Sequence, residues 1–165
     1  MRINTSRLAQ AVAVGIGATV VMDSGGEVLR RTRGVKPLDY ALLGRWIGHM
    51  SEGQFRHPAI MDAVPVRYER LLGWAAHYSI GTGFVLVLVA VHPRWLERPT
   101  IIPALITGMG TIVAPWFVMQ PAFGLGIAAA KTPTPTIARA RSLRTHTIYG
   151  LGIWVAANIL RHLRS

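Results

Sequence analysis

The sequence predicts an all-α membrane protein, a four-transmembrane-helix bundle with one amphipathic interfacial helix between spans 1 and 2 and a proline-broken third span. Three observations carry that prediction. Four apolar runs recur along the chain, separated by polar, turn-rich sequence. Hydrophobic residues make up 51% of the 165 residues and the mean hydropathy is +0.36, above what a soluble domain of this length shows. The arginines flank the apolar runs instead of interrupting them, as they do beside membrane spans. With no internal repeat, low-complexity tract or dividing linker, residues 1–165 are expected to form a single transmembrane domain.

The first apolar run, Leu8 to Met22, follows Arg2 and Arg7 and has the look of a secretory signal, but no small-x-small cleavage site closes it. A retained span over about 8–29 is therefore expected. Its Ala11, Gly15 and Thr19 form a small-residue stripe that Asp23 continues, the pattern that lets another backbone come close. After the basic loop Arg30 to Pro37, Asp39 suits an N-cap. Leu43, Trp46, Ile47 and Met50 then share one helical face, and Arg45, His49 and Glu52 the other. This is the interfacial helix, about 39–51. Gly53 to Pro65 reads as irregular chain.

The second span is placed at about 66–91, with Pro65 suited to a helix start. Its heart, Leu71 to Val91, carries one imidazole, His77, and no formal charge over 21 residues, a length of about 30 Å in an α-helix. Glu69, Gly73, His77 and Gly81 recur at i, i+4 and form a small, polar stripe aimed at a neighbour. The third run, 101–130, exceeds one straight crossing, and Pro115 and Pro121 interrupt it, with Gln120 at the break. Each proline removes a donor and clashes with the carbonyl four residues back, so a kink or break is expected near mid-membrane. The fourth span, about 143–161, enters through Arg139, Arg141, Ser142 and Arg144 and carries His146 at its start.

Four spans put both termini on one side and loops 30–65 and 131–142 on the other. Twelve of the eighteen Lys and Arg residues fall on the loop side. The positive-inside rule then makes those loops cytoplasmic and the termini periplasmic, for a multi-pass protein of an inner (plasma) membrane. The formal charge of +11 points to anionic lipid head groups; no nucleic-acid-binding signature is present. The absence of cysteine rules out disulfides, thiolate metal sites and cysteine nucleophiles.

In that orientation Asp23, His77 and His146 occupy similar depths in the cytoplasmic leaflet, with Gln120 slightly deeper and Glu69, Arg45 and His49 on the same side. Polar groups in a water-free medium need partners, so one polar, ligand-binding cluster is expected, with Asp23, His77 and His146 close enough to share a ligand or hydrogen-bond network. Plainer readings stand beside it. Asp23 can pair with an arginine, either imidazole can bond a neighbouring helix, and Gln120 can fill for carbonyls freed by the prolines. Trp46, Trp74, Trp95 and Tyr68 read as belt or packing aromatics. A carboxylate and two imidazoles suit a transition metal, so Asp23, His77 and His146 are also candidate metal ligands. Their scattered spacing matches no metal motif, and no P-loop, nucleophile elbow or dinucleotide fingerprint occurs.

The pattern Gly15-Ile16-Gly17-Ala18-Thr19 with Met22-Asp23, Gly44-Arg45-Trp46 with Gly48-His49, Gly73-Trp74 with His77-Tyr78 and Ile80-Gly81, Gln120-Pro121, Thr132-Pro133 and Thr145-His146 resembles an uncharacterised family of small bacterial integral inner-membrane proteins catalogued only as a domain of unknown function. The resemblance spans roughly Gly15 to Ala157. It implies a multi-span membrane fold and no established activity. Three functions stay open: a protein that binds or passes a small ligand or ion through the cluster, a metal- or quinone-dependent membrane enzyme, and a structural or assembly subunit with a membrane-protein partner or a second copy of itself.

Overall fold

The structure is a computed structural model and describes residues 5–35 and 37–164. Arg2 and Lys36, which entered the charge asymmetry, lie outside the described residues. Among those described the chain is all-helical, with no strand. The long elements are α1 (Thr5–Arg33), α2 (Tyr40–Met50), α3 (Glu69–Val91), α4 (Ile101–Gly110) and α5 (Pro135–His162). Among the described residues three stretches are long and apolar enough to cross a membrane: Thr5–Arg33, Glu69–Val91 and Ile101–Ala122.

Several boundaries differ from the sequence-based ones for local reasons. The first helix runs past Asp23 and the Gly25-Gly26 pair to Arg33, where Gly34 takes a positive φ of 62°. The Gly34 N–H returns to the Arg30 carbonyl and the Val35 N–H to that of Leu29, a glycine-terminated helix end that satisfies the last carbonyls. α2 begins where Asp39 was expected to cap it, with the Asp39 carboxylate accepting from the Ala41 N–H at 3.0 Å. α3 begins at Glu69, not near Pro65, because Tyr68 sits in the left-handed region at φ 62°. A non-glycine residue there ends any continuous helix from upstream.

The third apolar run is interrupted as its prolines require. α4 ends at Gly110, a turn follows at 111–112, and Pro115–Met119 winds as a π-helix before one last turn, Gln120–Ala122. The Gln120 N–H reaches the Pro115 carbonyl, five residues back. That wider register accommodates the ring of Pro121, which has no N–H to offer. The run does not stay helical to 130: Gly124 and Gly126 take φ of 83° and 73° and turn the chain back. α5 starts eight residues earlier than the expected span, with Pro135 as its first residue, where its missing N–H costs nothing.

The chain divides into two compact units. The first comprises the described residues of Met1–Pro37, Tyr78–Thr111 and Arg144–Ser165. Its core joins Ala11, Val14 and Ala18 of α1, Val85, Leu88 and Val89 of α3, Ala104 of α4, and Tyr149, Ile153 and Ala157 of α5, with Trp95 and Leu96 from the connection after α3. Close backbone approach is general here. A Cβ added at Gly15 would lie 2.6 Å from the Thr82 Cα, one at Gly108 2.5 Å from the Gly150 Cα, and one at Gly152 2.8 Å from the Ala18 carbonyl oxygen. The Ala11, Gly15, Thr19 stripe thus packs as its composition suggests.

The second unit comprises Leu38–His77 and the described residues of Ile112–Leu143. Ile60, Ala122 and Phe123 form its apolar centre, with Leu42, Trp46, Ala63, Met119 and Leu125 packed around them. α2 crosses the start of α3 at paired glycines: a Cβ on Gly44 would strike the Glu69 carbonyl, and one on Gly73 the Tyr40 carbonyl. The segment after α2 is pinned to the chain beyond the π-helix by His57 N–H to Ala122 O at 2.8 Å and Ile60 N–H to Phe123 O at 3.2 Å.

These approaches predict opposite signs for two glycine substitutions. Gly44→Ala must push two backbones apart and should destabilise the protein by about 1–3 kcal/mol. Gly26, with nothing within 4 Å of an added Cβ, should gain up to about 1 kcal/mol on Gly26→Ala from helix propensity alone. Unfolding free energies of the two variants in one detergent system test this; a neutral Gly44→Ala would refute the backbone contact.

Candidate functional site

The seven residues expected to cluster fall in both units. Asp23 and His146 belong to the first; His77, Gln120, Glu69, Arg45 and His49 belong to the second. In the first unit, the Tyr78 hydroxyl donates to Asp23 Oδ2 at 3.1 Å, and the Thr111 hydroxyl lies 2.5 Å from His146 Nδ1. Among the described residues no group of three or more His, Asp or Glu side chains that could hold a metal ion is present.

The second unit holds the denser polar arrangement. Arg45 meets Glu69 in a two-pronged pair, Nε to Oε2 at 2.8 Å and the second prong at 3.0 Å. The remaining guanidinium nitrogen donates to the carbonyls of Ala63 at 3.0 Å and of Ile60 and Met61 at 3.3 Å. Glu69 Oε2 also accepts from the Val66 N–H at 3.2 Å. With side chains only 11% and 18% exposed, these are enclosed charges that satisfy each other, and the Glu69 carboxylate beside it holds the Arg45 guanidinium above its ordinary pKa. The polar face of α2 is therefore partly closed.

His49 is likewise buried, against His57, with Nδ1 and Nε2 3.4 Å apart. Burial, and then the neighbouring His49, push the His57 imidazole below its ordinary pKa, which favours the neutral form of His57. The Tyr40 hydroxyl bonds His77 Nε2 at 3.0 Å. The two rings stack at 4.2 Å, and Trp74 lies 4.5 Å from Tyr40 and 5.9 Å from His77. Trp74 thus joins an aromatic group around an imidazole.

Two polar atoms of this unit are buried with no hydrogen-bond partner, Gln120 Oε1 and Trp116 Nε1. They stand four residues apart, one helical turn, on either side of the end of the π-helix. One is an acceptor and the other a donor, so the pair suits a ligand that offers both. π-Helical turns recur at functional sites because they reposition the residues that follow.

Sequence reasoning found Gln120 from its place at the proline break but missed Trp116, Tyr40 and His57. Trp116 directly follows Pro115, and Tyr40 directly follows the cap Asp39, so both had a local cue. His57 had none, since only the fold of residues 51–68 brings it to His49.

A family model described as "Protein of unknown function (DUF2938)" matches residues 12–160. No curated protein and no solved structure matches the chain. The match takes in the whole stretch, Gly15 to Ala157, over which the glycine, histidine and proline pattern resembles such a family, and the chain belongs to this family of proteins of unknown function, DUF2938.

Proposed function

We propose that this is a four-span membrane protein that binds or passes a small ligand or ion at a polar site in the second unit, on Gln120 and Trp116, with the Tyr40–His77 pair as a titratable group of the same unit. The observation that carries this reading is the unpartnered Gln120 Oε1 at the end of the π-helix. A buried acceptor without a donor costs about 1–3 kcal/mol, a cost that a bound donor or cation offsets. Broken helices beside ionisable groups are where membrane proteins build such sites. The enzyme reading has less support, because no three-ligand group occurs among the described residues. The subunit reading has less too, because Gly15 of α1, Gly73 and Gly81 of α3 and Gly150 and Gly152 of α5 are already packed within the chain.

α5 supplies the fourth crossing in this reading. Between Arg144 and Arg161 it holds sixteen residues, Thr145 to Leu160, with no Asp, Glu, Lys or Arg. That is about 24 Å of helix, which the two arginines extend by reaching their charged heads to the interfaces. The charge asymmetry puts loops 30–65 and 131–142 in the cytoplasm and the termini outside, where anionic head groups complement the basic flanks.

Two expectations follow. Gln120→Met removes an unsatisfied acceptor, so the ligand-free protein should become more stable by about 1 kcal/mol, whereas a small molecule retained from the expression membrane should be lost. Native mass spectrometry and thermal unfolding of Gln120→Met and Trp116→Phe read both effects; wild-type protein that carries no adduct and gains no stability from any membrane extract would overturn the site. Reporter fusions should place residue 139 in the cytoplasm and the C-terminus outside; a cytoplasmic C-terminus would reverse the topology.

A further inference from the structure

At the end of the first unit that carries the first turn of α1 and the last turn of α5, two adjoining cavities of about 270 and 250 Å³ share Gln10, Leu96, Glu97 and Arg164. Arg7 lines one and Arg161 the other. The floor is apolar, with Leu96 and Ala157 buried. The rim is cationic: three guanidiniums face one carboxylate, that of Glu97, which Arg7 engages at 2.8 Å. Among the described residues neither the Arg161 nor the Arg164 side chain has an ion pair or hydrogen bond.

We infer that this cavity is a binding site for the phosphate of an anionic phospholipid, gripped by Arg161 and Arg164 with Arg7 and Gln10 at its edge. The inference rests on the membrane reading above but not on the proposed ligand site, which lies in the other unit.

Three features argue for a lipid phosphate over other occupants. Arg161 lies in the last turn of α5 and Arg164 in the turn that follows it, and both line the same cavity; paired guanidiniums match the oxygens of a phosphodiester. Each cavity is also small beside the roughly 300 Å³ at which sites for whole organic ligands begin, enough for a head group whose chains lie outside. Close in sequence to the lining residues, Leu8, Val91, Ile159 and Leu163 expose 43%, 70%, 55% and 79% of their surface, apolar surface for acyl chains that a free phosphate would not use.

The test is binding of short-chain phosphatidylglycerol to the full-length protein in neutral detergent, read by native mass spectrometry and by the shift in unfolding temperature. Phosphatidylglycerol should remain bound and raise that temperature, while phosphatidylcholine and inorganic phosphate should do neither. The double variant Arg161→Ala/Arg164→Ala should bind phosphatidylglycerol about tenfold or more weakly. Arg33→Ala/Arg141→Ala, which removes the same charge from exposed positions elsewhere, should bind like wild type. Equal loss in both double variants would show a net-charge effect and overturn the site. Equal protection by inorganic phosphate would overturn the lipid assignment, and equal protection by phosphatidylcholine the head-group assignment. Gln120→Met should retain phosphatidylglycerol fully, so failure of this inference and failure of the ligand site are read separately.

Discussion

Both units depend on one constraint: backbones must come nearly into contact where helices cross. Helices whose outer faces are as apolar as these gain little by hiding one leucine from another, and association then rests on dispersion between closely approaching main chains. Glycine, alanine and threonine at the crossings are what permit it. Gly15 meets Thr82 and Gly108 meets Gly150 in the first unit, and Gly44 and Gly73 interlock in the second. Large apolar side chains such as Ile102, Ile106 and Val113 are left on the outside, more than half exposed. This inverts the layout of a soluble bundle, which puts its bulk within.

Once backbones are that close, polar groups within reach are drawn into specific pairs. The Tyr149 hydroxyl bonds the Gly81 carbonyl, and Thr19 returns its hydroxyl to the Gly15 carbonyl at 2.9 Å. Such bonds cost little desolvation, because the alternative in an apolar medium is no partner at all. The same logic explains why Asp23 and His146 meet tyrosine and threonine. A hydroxyl is a donor small enough to fit between helices held at glycine distance.

Periodicity and composition made the helices legible, because length and apolarity are summed over many residues and survive local error. Boundaries set by a single torsion were not legible: nothing in the composition around Tyr68 announces its positive φ, and so α3 began later than Pro65 suggested. The break at Pro115 and Pro121 was legible, since a missing N–H is a property of the residue itself, but its resolution as a π-helix depends on how the next turn packs. In the candidate site, the stripe Glu69, Gly73, His77 was read from spacing. Its partners Arg45 and Tyr40 lie 24 and 37 residues away in sequence, and no local pattern encodes a pairing across such a loop. Asp23, His77 and His146 were picked out by charge and depth, but their hydroxyl partners Tyr78, Tyr40 and Thr111 lie far away in sequence and no local pattern announces them.

Arg45 bears on how this sequence can vary among relatives. Its guanidinium contacts Ile60, Met61 and Ala63 only through carbonyl oxygens, and every amino acid carries one. Met61, with 71% of its surface exposed, can therefore drift freely in identity while the path of its main chain stays fixed. Gly44, Arg45, Glu69 and Gly73 have no such freedom. Two of them set the distance between the helices and two set the charge balance within it, so a change at one is tolerated only alongside a change at another. Across the family these four positions should be inherited as a block, separated by a stretch whose letters change and whose shape does not.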